Sequence, residues 1–224
     1  MMFLSILMPC LNEENTIGEC IDIANEYLKK NNIDGEVLIS DNNSTDNSYA
    51  IALEHNARVI KTFKPGYGSA LINGINNAKG KYIIFGDCDM SYDFSDLDKF
   101  IEKFDEGYDF VNGNRFSGKI EKHAMPLSHK IGAPILSFLA RKKYKSVVHD
   151  FHCGLRGFNT EKAKTLNLQC EGMEFATEII AKFSKGNFKI TEVPITLRKD
   201  KRNGKPHLNT IKDGIRHLNY IIKN

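Results

Sequence analysis

Several signals that would assign this chain to a broad class are missing. No apolar run approaches the roughly 20 residues that a helix needs to span a bilayer. The 5 cysteines include no Cys-x-x-Cys pair, which fits reduced thiols in a cytosolic protein better than a disulfide framework. The net charge of +3 is too small to indicate a nucleic-acid partner. The first residues are apolar with no basic segment before them, so they predict a strand rather than a signal peptide, and we expect a cytoplasmic protein.

Two widespread phosphate-binding motifs are also absent. No Gly-x-Gly-x-x-Gly follows the first predicted strand, and no Gly-x-x-x-x-Gly-Lys-Ser/Thr occurs anywhere. The chain therefore carries neither a dinucleotide-binding fingerprint nor a P-loop. If it binds a nucleotide, it must do so with other loops.

The composition and patterning predict one α/β domain covering residues 1–224. The chain has 224 residues, of which 41% are hydrophobic and 26% charged, as in an ordinary soluble protein with a sizeable core. Strands are predicted at 4–8, 36–40, 57–62 and 83–85, with a helix after each of the first three. Thr16 and Glu19 have the spacing of a capping box at the start of the first helix. Such alternation predicts a mostly parallel, Rossmann-like sheet flanked by helices.

The clearest chemical signal is a pair of carboxylates after the fourth strand. An apolar run, 82–85, is followed by Gly86, Asp87, Cys88 and Asp89. Residues i and i+2 of an extended chain point the same way, so both carboxylates can face one hard cation, Mg2+ or Mn2+. Ligands of open α/β sheets collect where such strands end. A helix cap or a turn is the alternative explanation for the same two residues.

Polar groups follow the other predicted strands at the same edge. Asn12 and Glu13 follow the first strand and Asp41 ends the second, and each can bond a base or a ribose. Gly66 and Gly68 open a helix whose free N–H groups can face an anion. Turn chemistry explains each of these residues singly. Their convergence on one edge favours a nucleotide site.

These motifs, in this order and spacing, resemble those of family 2 glycosyltransferases with the GT-A fold, most closely the polyprenyl- and dolichyl-phosphate sugar synthases. The matching segments are 5–14, 41–46, 66–70 and 86–89. One difference is Ser91, where those synthases usually carry a glutamine. The resemblance implies that residues 1–90 form the nucleotide-binding half, and that Asp87 and Asp89 hold Mg2+ or Mn2+ on the diphosphate of a nucleotide sugar. The predicted nucleotide-binding residues are Pro9, Leu11, Asn12, Glu13, Asp41, Asn43, Lys64, Gly68, Asp87 and Cys88.

Residues 91–224 are then expected to bind the acceptor. The strand 110–116 brings Arg115 to the rim, where a guanidinium can fork onto phosphate oxygens or pair with a surface carboxylate. Asp150 is the candidate base toward a hydroxyl acceptor, or an orienting group if the acceptor is a phosphate. We predict Asp150, Asp89 and Arg115 as catalytic residues. The predicted acceptor- or phosphate-binding residues are Arg115, His129, Lys130, Glu174, Arg198, Arg202 and Lys205.

Three further stretches suggest a metal site or membrane contact. His149, His152 and Cys153 lack a fourth soft ligand at a recognised spacing, so we do not predict zinc. The apolar stretch 125–140 ends in a basic cluster, 141–145, and fits either a core helix or a helix on an anionic membrane surface. The last helix, 209–222, is expected to pack against the domain by an apolar stripe, with membrane contact as the alternative.

The prediction is a metal-dependent, inverting glycosyltransferase that uses a nucleoside-diphosphate sugar such as UDP-glucose or GDP-mannose. The expected acceptor is a polyprenyl phosphate at the cytoplasmic membrane face, with at most peripheral membrane contact. Two alternatives stay open. One is transfer to a hydroxyl of a glycan, which requires Asp150 as a base. The other is a nucleotide-sugar-binding scaffold without turnover.

Overall fold

The computed structural model describes residues 2–202 and 209–224. Its central feature is a seven-stranded sheet of order β3-β2-β1-β4-β6-β5-β7. The first four strands are parallel neighbours and agree with the predicted ones. Their bounds are β1 Leu4–Cys10, β2 Gly35–Asp41, β3 Arg58–Lys61 and β4 Tyr82–Phe85.

The second half adds three strands: β5 Phe110–Ile120, β6 Arg156–Asn159 and β7 Ile190–Leu197. β6 runs antiparallel to both β4 and β5, whereas β7 runs parallel to β5. The sheet is thus mostly parallel, as predicted, with one reversed strand. β7 lies at the edge of the sheet, where Pro194 is tolerated because an edge strand leaves some N–H groups unused.

Helices cover both faces of the sheet. They are α1 Ile17–Lys30, α2 Ser48–Glu54, α3 Tyr67–Asn77, α4 Asp98–Asp105, α5 Leu127–Tyr144, α6 Thr160–Thr165, α7 Phe175–Lys185 and α8 Thr210–Lys223. The predicted capping box at the start of α1 is wrong, since Thr16 makes no side-chain cap hydrogen bond there. Glu19 pairs with Lys201 instead, 3.0 Å away.

The core has two layers because successive side chains of a buried strand point to opposite faces. In β4, Ile84 packs on the face that also holds residues of α1 and α4. Ile83 and Phe85 pack on the opposite face, with residues of α3 and α7. Burial of both faces explains why β4 is apolar throughout. It also fixes the point at which the polar chain after Phe85 leaves the sheet.

The structure corrects the packing predicted for the last helix. α8 lies against the domain through Asp213, His217 and Ile221, whereas the predicted packing stripe points outward. The exposed members of that stripe are Ile211, Ile215, Leu218 and Ile222, at 76%, 54%, 36% and 67% exposure. α5 likewise buries only Ser137, Ala140 and Tyr144, so it is not the core helix offered as one interpretation. Across 2–202 and 209–224, no helix combines the length and apolarity needed to cross a membrane.

Candidate active site

The two carboxylates after β4 lie at the carboxyl end of the parallel strands, and neighbouring groups fix both. The Tyr67 hydroxyl donates to Asp87 Oδ1 at 3.0 Å. Asp89 is 8% exposed, and its Oδ1 accepts from the backbone N and the hydroxyl of Ser91 at 3.0 and 2.5 Å. Ser91, where the resembling synthases usually have glutamine, thus holds the second carboxylate in place.

Glu13 joins this pair from the end of β1, and Arg202 links the two groups. The Arg202 guanidinium lies 2.8 Å from Glu13 Oε1 and 2.9 Å from Asp89 Oδ2. Burial raises the pKa of Glu13 to about 7, with Arg202 opposing the rise and Asp89 adding to it. Burial and the charge of Asp89 likewise raise the pKa of Asp87 to about 7. Among the described residues, the three carboxylates Glu13, Asp87 and Asp89 outnumber Arg202 and Arg156, the arginines that lower the pKa values of Glu13 and Asp87, and this excess favours an added cation.

The donor set fits a hard divalent cation shared with phosphates. Asp87 and Asp89 offer only oxygen atoms, which Mg2+ and Mn2+ prefer. Within the parts of the chain that the structure describes, no three His, Cys, Asp or Glu residues are grouped as a metal cage. Mg2+ is commonly bound by one or two carboxylates together with substrate phosphates, so two protein carboxylates suffice.

The loops after β1 and β2 are locked together beside these carboxylates. Asn12 has a left-handed backbone, with φ 56°, and its Oδ1 accepts from Thr45 N at 2.7 Å. Ser44 Oγ accepts from Asn12 N at 3.0 Å, and Ser44 N donates to Asp41 Oδ1 at 3.2 Å. The predicted residues Asn12, Glu13 and Asp41 thus come from neighbouring strand ends of one sheet edge. Their contact with a nucleotide stays a prediction.

Three predicted residues at or next to the β-strand ends have different environments. Cys88 is 2% exposed, and its thiol donates to the Pro9 carbonyl at 3.3 Å. The Cys88 side chain therefore packs in the core, and contact of this residue with a nucleotide stays a prediction. Pro9 is the penultimate residue of β1 and pairs with Ser40 of β2, and Leu11 follows the strand at intermediate burial.

The remaining predicted nucleotide-binding residues lie around the start of α3. Asn43, with φ 64°, donates to the Phe63 carbonyl at 3.2 Å, and Lys64 pairs with Glu171 at 2.6 Å. Gly68 is buried, and a Cβ there would lie 2.0 Å from the carbonyl oxygen of Cys170. Packing against the Cys170 carbonyl therefore requires a glycine here, and close approach of a ligand to Gly68 stays a prediction.

Arg115 and Asp150 form a buried pair on the other side of the rim. Asp150 is 0% exposed, and its oxygens accept from Arg115 Nε and Nη2, both at 2.8 Å, and from Arg115 N at 3.1 Å. The pair holds the pKa of Arg115 well above its ordinary value although burial alone would lower it. Asp150 therefore orients Arg115. The Asp150 carboxylate is covered and engaged by Arg115, and its predicted role as a base or an orienting group toward the acceptor stays a prediction.

Glu192 on β7 supports that pair and was not predicted. Its carboxylate accepts from the backbone N of His149 at 2.8 Å and of Asp150 at 3.1 Å. The side chain of Asn114 also donates to it, at 3.1 Å. The His149 ring, once weighed as a zinc ligand, lies 2.9 Å from Glu192 Oε2. A single glutamate in a strand pattern gives no signal of this role.

The other predicted acceptor residues do not converge on one point. Arg198 pairs with Asp93, and Glu174 lies 3.7 Å from Arg216. His129 contacts Thr210 Oγ1 at 2.9 Å, and Lys130 is exposed. Lys205 lies outside the described residues. The predicted set therefore divides into Arg202 at the acidic cluster, Arg115 at the rim, and several residues with separate partners.

Arg156 and Tyr92 shape the segment between the two halves of the site. Arg156 is fully buried and donates to the carbonyls of Cys153, Phe151 and Ala176 at 2.7–2.8 Å. Tyr92 Oη accepts from Gly154 N at 2.7 Å. Gly154 in turn lies against Asp87, since a Cβ there would be 2.8 Å from Asp87 Oδ2. The carboxylates and the Arg115 region are therefore adjacent.

Comparison with solved structures identifies the fold. The chain superposes on glucosyl-3-phosphoglycerate synthase from Mycobacterium tuberculosis, solved in complex with Mn2+, UDP and glucosyl-3-phosphoglycerate. The TM-score is 0.77 with 21% identity, covering 98% of this chain and 80% of that one. The same synthase was also solved with Mg2+ and UDP, again with a TM-score of 0.77 and 21% identity, over 98% of this chain and 79% of that one. Together with the acidic rim, this likeness defines a GT-A protein.

Sequence comparison identifies the family. The model of "Glycosyl transferase family 2" matches residues 5–166, and the chain belongs to this family. It is 36% identical over 223 residues to the low-salt glycan biosynthesis hexosyltransferase Agl6 of Haloferax volcanii, covering 99% of this chain and 53% of that protein. It therefore spans about half the length of that relative. It is also 28% identical over 222 residues to a dolichyl-phosphate hexose transferase of the same organism, covering 98% of this chain and 92% of that protein.

Proposed function

We propose that the chain transfers a sugar from a nucleoside diphosphate to a polyprenyl phosphate at the cytoplasmic membrane face, with inversion at the anomeric carbon. Residues 1–90 would supply the donor site and residues 91–224 the acceptor site. Membership in the glycosyltransferase family supports the reaction class. The dolichyl-phosphate hexose transferase among the relatives supports the acceptor class.

The observation that carries the proposal is the acidic cluster at the carboxyl ends of β1 and β4. Asp87 and Asp89 would hold a divalent cation, Mg2+ or Mn2+, which neutralises charge on the departing diphosphate. Arg202, already placed at Glu13 and Asp89, would bind phosphate oxygens on the same side. The locked loops carrying Asn12 and Asp41 would bind the nucleoside.

The arrangement of Asp150 favours a phosphate acceptor over a hydroxyl. A hydroxyl must lose its proton as it attacks, so it needs a base within hydrogen-bond reach. Asp150 is 0% exposed and engaged by Arg115, which leaves it poorly placed for that task. A phosphate oxygen is already anionic and needs no base. In the proposed reaction it bonds to the anomeric carbon while the bond from that carbon to the diphosphate oxygen breaks, and Arg115 orients the incoming phosphate.

The test is transfer of labelled sugar from UDP-glucose and GDP-mannose to a short-chain polyprenyl phosphate and to the matching alcohol. The proposal expects lipid-linked sugar from the phosphate only, in the presence of Mg2+ or Mn2+. Asp87→Asn and Asp89→Asn should each abolish it, whereas Asp105→Asn, an exposed carboxylate on α4, should not. Transfer to the alcohol alone would show that the acceptor is a hydroxyl and not a phosphate. Donor binding without turnover on either acceptor would favour the scaffold alternative.

A further inference from the structure

The outer faces of α5 and α8 carry most of the large apolar side chains that the described part of the chain exposes. Nine of the thirteen such residues lie on these two helices. On α5 they are Leu127, Ile131, Ile135, Phe138 and Leu139, with exposures from 40% to 72%. On α8 they are Ile211, Ile215, Leu218 and Ile222. A concentration of this kind marks an interaction surface, because scattered single exposures are what a soluble protein normally shows.

The two helices are parallel neighbours along their lengths. Near their starts, His129 Nε2 lies 2.9 Å from Thr210 Oγ1. Near their ends, Lys143 Nζ donates to the Ile222 carbonyl at 2.9 Å. With 18 and 14 residues, they extend about 27 and 21 Å at 1.5 Å per residue. We call their outward sides, with the nine apolar residues above, the α5–α8 face.

The spacing of the exposed residues shows one stripe on each helix. Ile131, Ile135 and Phe138 recur at intervals of four and three, so they share one side of α5. Ile211, Ile215 and Leu218 do the same on α8. The sides that pack inward mix small, polar and apolar residues: Ser137, Ala140 and Tyr144 on α5, and Asp213, His217 and Ile221 on α8. On each helix, the larger number of apolar side chains therefore faces away from the domain.

The charge on these two helices is mostly positive. Together α5 and α8 contain seven lysines and arginines and one acidic residue, Asp213. Asp213 is 5% exposed and accepts from Asn209 N at 2.8 Å, so it contributes little to the outer field. The exposed charges include Arg141 and Lys142 on α5 and Lys212 on α8. An apolar stripe flanked by basic groups alone matches an interface of hydrocarbon beneath anionic headgroups.

We propose that the α5–α8 face is a docking surface for an anionic lipid bilayer, on which both helices lie in the plane of the headgroups. The basic side chains contact the headgroups and the apolar stripes enter the acyl boundary. The inference deepens the proposed function, on which it rests for the identity of the acceptor. It specifies which surface of the protein would contact the membrane and that the lipids would be anionic. Docking there would bring a membrane-anchored acceptor close to the site.

The start of α5 connects this surface with the acceptor side of the site. His129, in the first turn of α5, is near enough to Arg115 that the guanidinium, second to burial, lowers the pKa of its ring. Lys130 follows at the exposed surface. In this proposal, a phosphate at the head of a bilayer-embedded chain enters the site from the N-terminal end of the α5–α8 face.

The test is co-sedimentation of the purified protein with vesicles of phosphatidylcholine alone or mixed with about one third phosphatidylglycerol, without donor or acceptor. The inference expects binding to the anionic vesicles that weakens with salt, and little binding to the neutral ones. Ile131→Gln, Phe138→Gln and Ile215→Gln should each lower the partition coefficient about tenfold, since each removes an inserted apolar side chain. Leu53→Gln, 50% exposed on α2, is the matched control and should bind as the wild type does.

A second pair of variants tests the charge. Lys142→Gln with Lys212→Gln should weaken binding to anionic vesicles and leave the thermal unfolding midpoint unchanged, because both side chains are exposed. Lys29→Gln with Lys30→Gln, exposed on α1, removes the same charge elsewhere and should have little effect.

Three results would overturn the inference. The first is no binding to either kind of vesicle, and the second is vesicle binding that the face variants leave unchanged. The third is concentration-dependent dimerisation in light scattering that the same apolar variants abolish, which would assign the face to a second copy. The vesicle assay contains no sugar donor, so it fails or succeeds independently of the transfer reaction. Sugar transfer to a short-chain polyprenyl phosphate by a protein that ignores vesicles would leave the proposed function intact.

Discussion

The buried pair of Arg115 and Asp150 allows a quantitative prediction. Asp150 is 0% exposed, Arg115 is 8% exposed, and two side-chain hydrogen bonds of 2.8 Å join them. Asp150→Asn removes the negative charge and leaves the guanidinium in a covered site. Breaking a buried pair in this way costs about 3–5 kcal/mol of the free energy of unfolding. Asparagine keeps part of the hydrogen bonding, so we expect the lower end, about 3 kcal/mol.

Urea unfolding at neutral pH measures this loss. With a slope of about 1–3 kcal/mol per molar urea, the unfolding midpoint should fall by at least about 1 M. The double variant Arg115→Met with Asp150→Leu removes both charges and should be more stable than Asp150→Asn, because no unpaired charge remains. Asp105→Asn on the surface of α4 is the control, with a change within about 0.5 kcal/mol.

Two results would refute this reasoning. One is a loss below about 1 kcal/mol for Asp150→Asn, which is the range of exposed pairs. The other is a double variant as unstable as the sum of its single variants, which would mean that the two residues do not act as a pair. For transfer to the phosphate acceptor, Arg115→Met and Asp150→Asn should reduce activity to a similar extent, measured below their unfolding temperatures. A far larger loss for Asp150→Asn would restore its role as a base.

Three further predictions concern stability and the cation. Gly68→Ala places a Cβ 2.0 Å from the Cys170 carbonyl oxygen and should lower the free energy of unfolding, measured in urea, by at least about 1–3 kcal/mol. Gly132→Ala is the control: its Cβ would have no neighbour within 4 Å, and it should stabilise α5 by about 1 kcal/mol. Burial lowers the pKa of His217 from 6.5 to about 4, so near pH 5 the folded state binds fewer protons than the unfolded state does. The contribution of His217 to the free energy of unfolding is complete above its ordinary pKa and should fall by about 2 kcal/mol between about pH 7 and about pH 5. His217→Gln should flatten that slope. Arg202→Ala should lower the midpoint of thermal unfolding in the absence of metal. It should also enlarge the rise of that midpoint on adding Mn2+, because the guanidinium no longer pairs with Asp89. Lys201→Ala is the control and should leave the Mn2+ effect unchanged.

Each of these has a clear contrary outcome. A neutral Gly68→Ala would mean that the chain at 170–171 moves away freely. An unchanged pH slope in His217→Gln would assign the acid sensitivity to other groups, such as His152 at 4.5 Å from the same ring. Equal Mn2+ shifts for wild type and Arg202→Ala would show that the arginine and the cation do not share Asp89.

The parallel half of the fold was predictable because its signals are local. The apolar run before Gly86 predicts a buried strand, and the apolar residues at helical spacing after Thr16 predict an amphipathic helix. The structure has both elements, as β4 and α1. The reversed direction of β6 was not predicted, because Arg156–Asn159 is short and its pairing with β4 and β5 depends on contacts distant in sequence. Residue spacing predicts which side chains share a helix face, but it does not say which face turns inward. The outward apolar stripe of α8 is the example.

The candidate site shows the same division. The interest in Asp87 and Asp89 came from a local signal, since the two carboxylates directly follow a buried strand. The family resemblance predicted that the loops carrying Asn12 and Asp41 lie near them. Arg202 was predicted as a phosphate ligand, but its contacts with Glu13 and Asp89 join residues that lie 189 and 113 positions apart in the sequence. The partners of Asp150 and Gly68 are likewise distant in sequence. An aspartate that pairs internally and one that takes a proton look the same in a sequence.

The central claim is that Asp87 and Asp89 hold a divalent cation against the diphosphate of a nucleotide sugar. The most direct measurement is calorimetric titration of UDP-glucose and of GDP-mannose into the wild type and Asp89→Asn, with Mn2+ and with excess chelator. The account predicts that one of the two donors binds the wild type with Mn2+, and that either the chelator or the substitution removes this binding. Donor binding of equal strength in all four samples would contradict it.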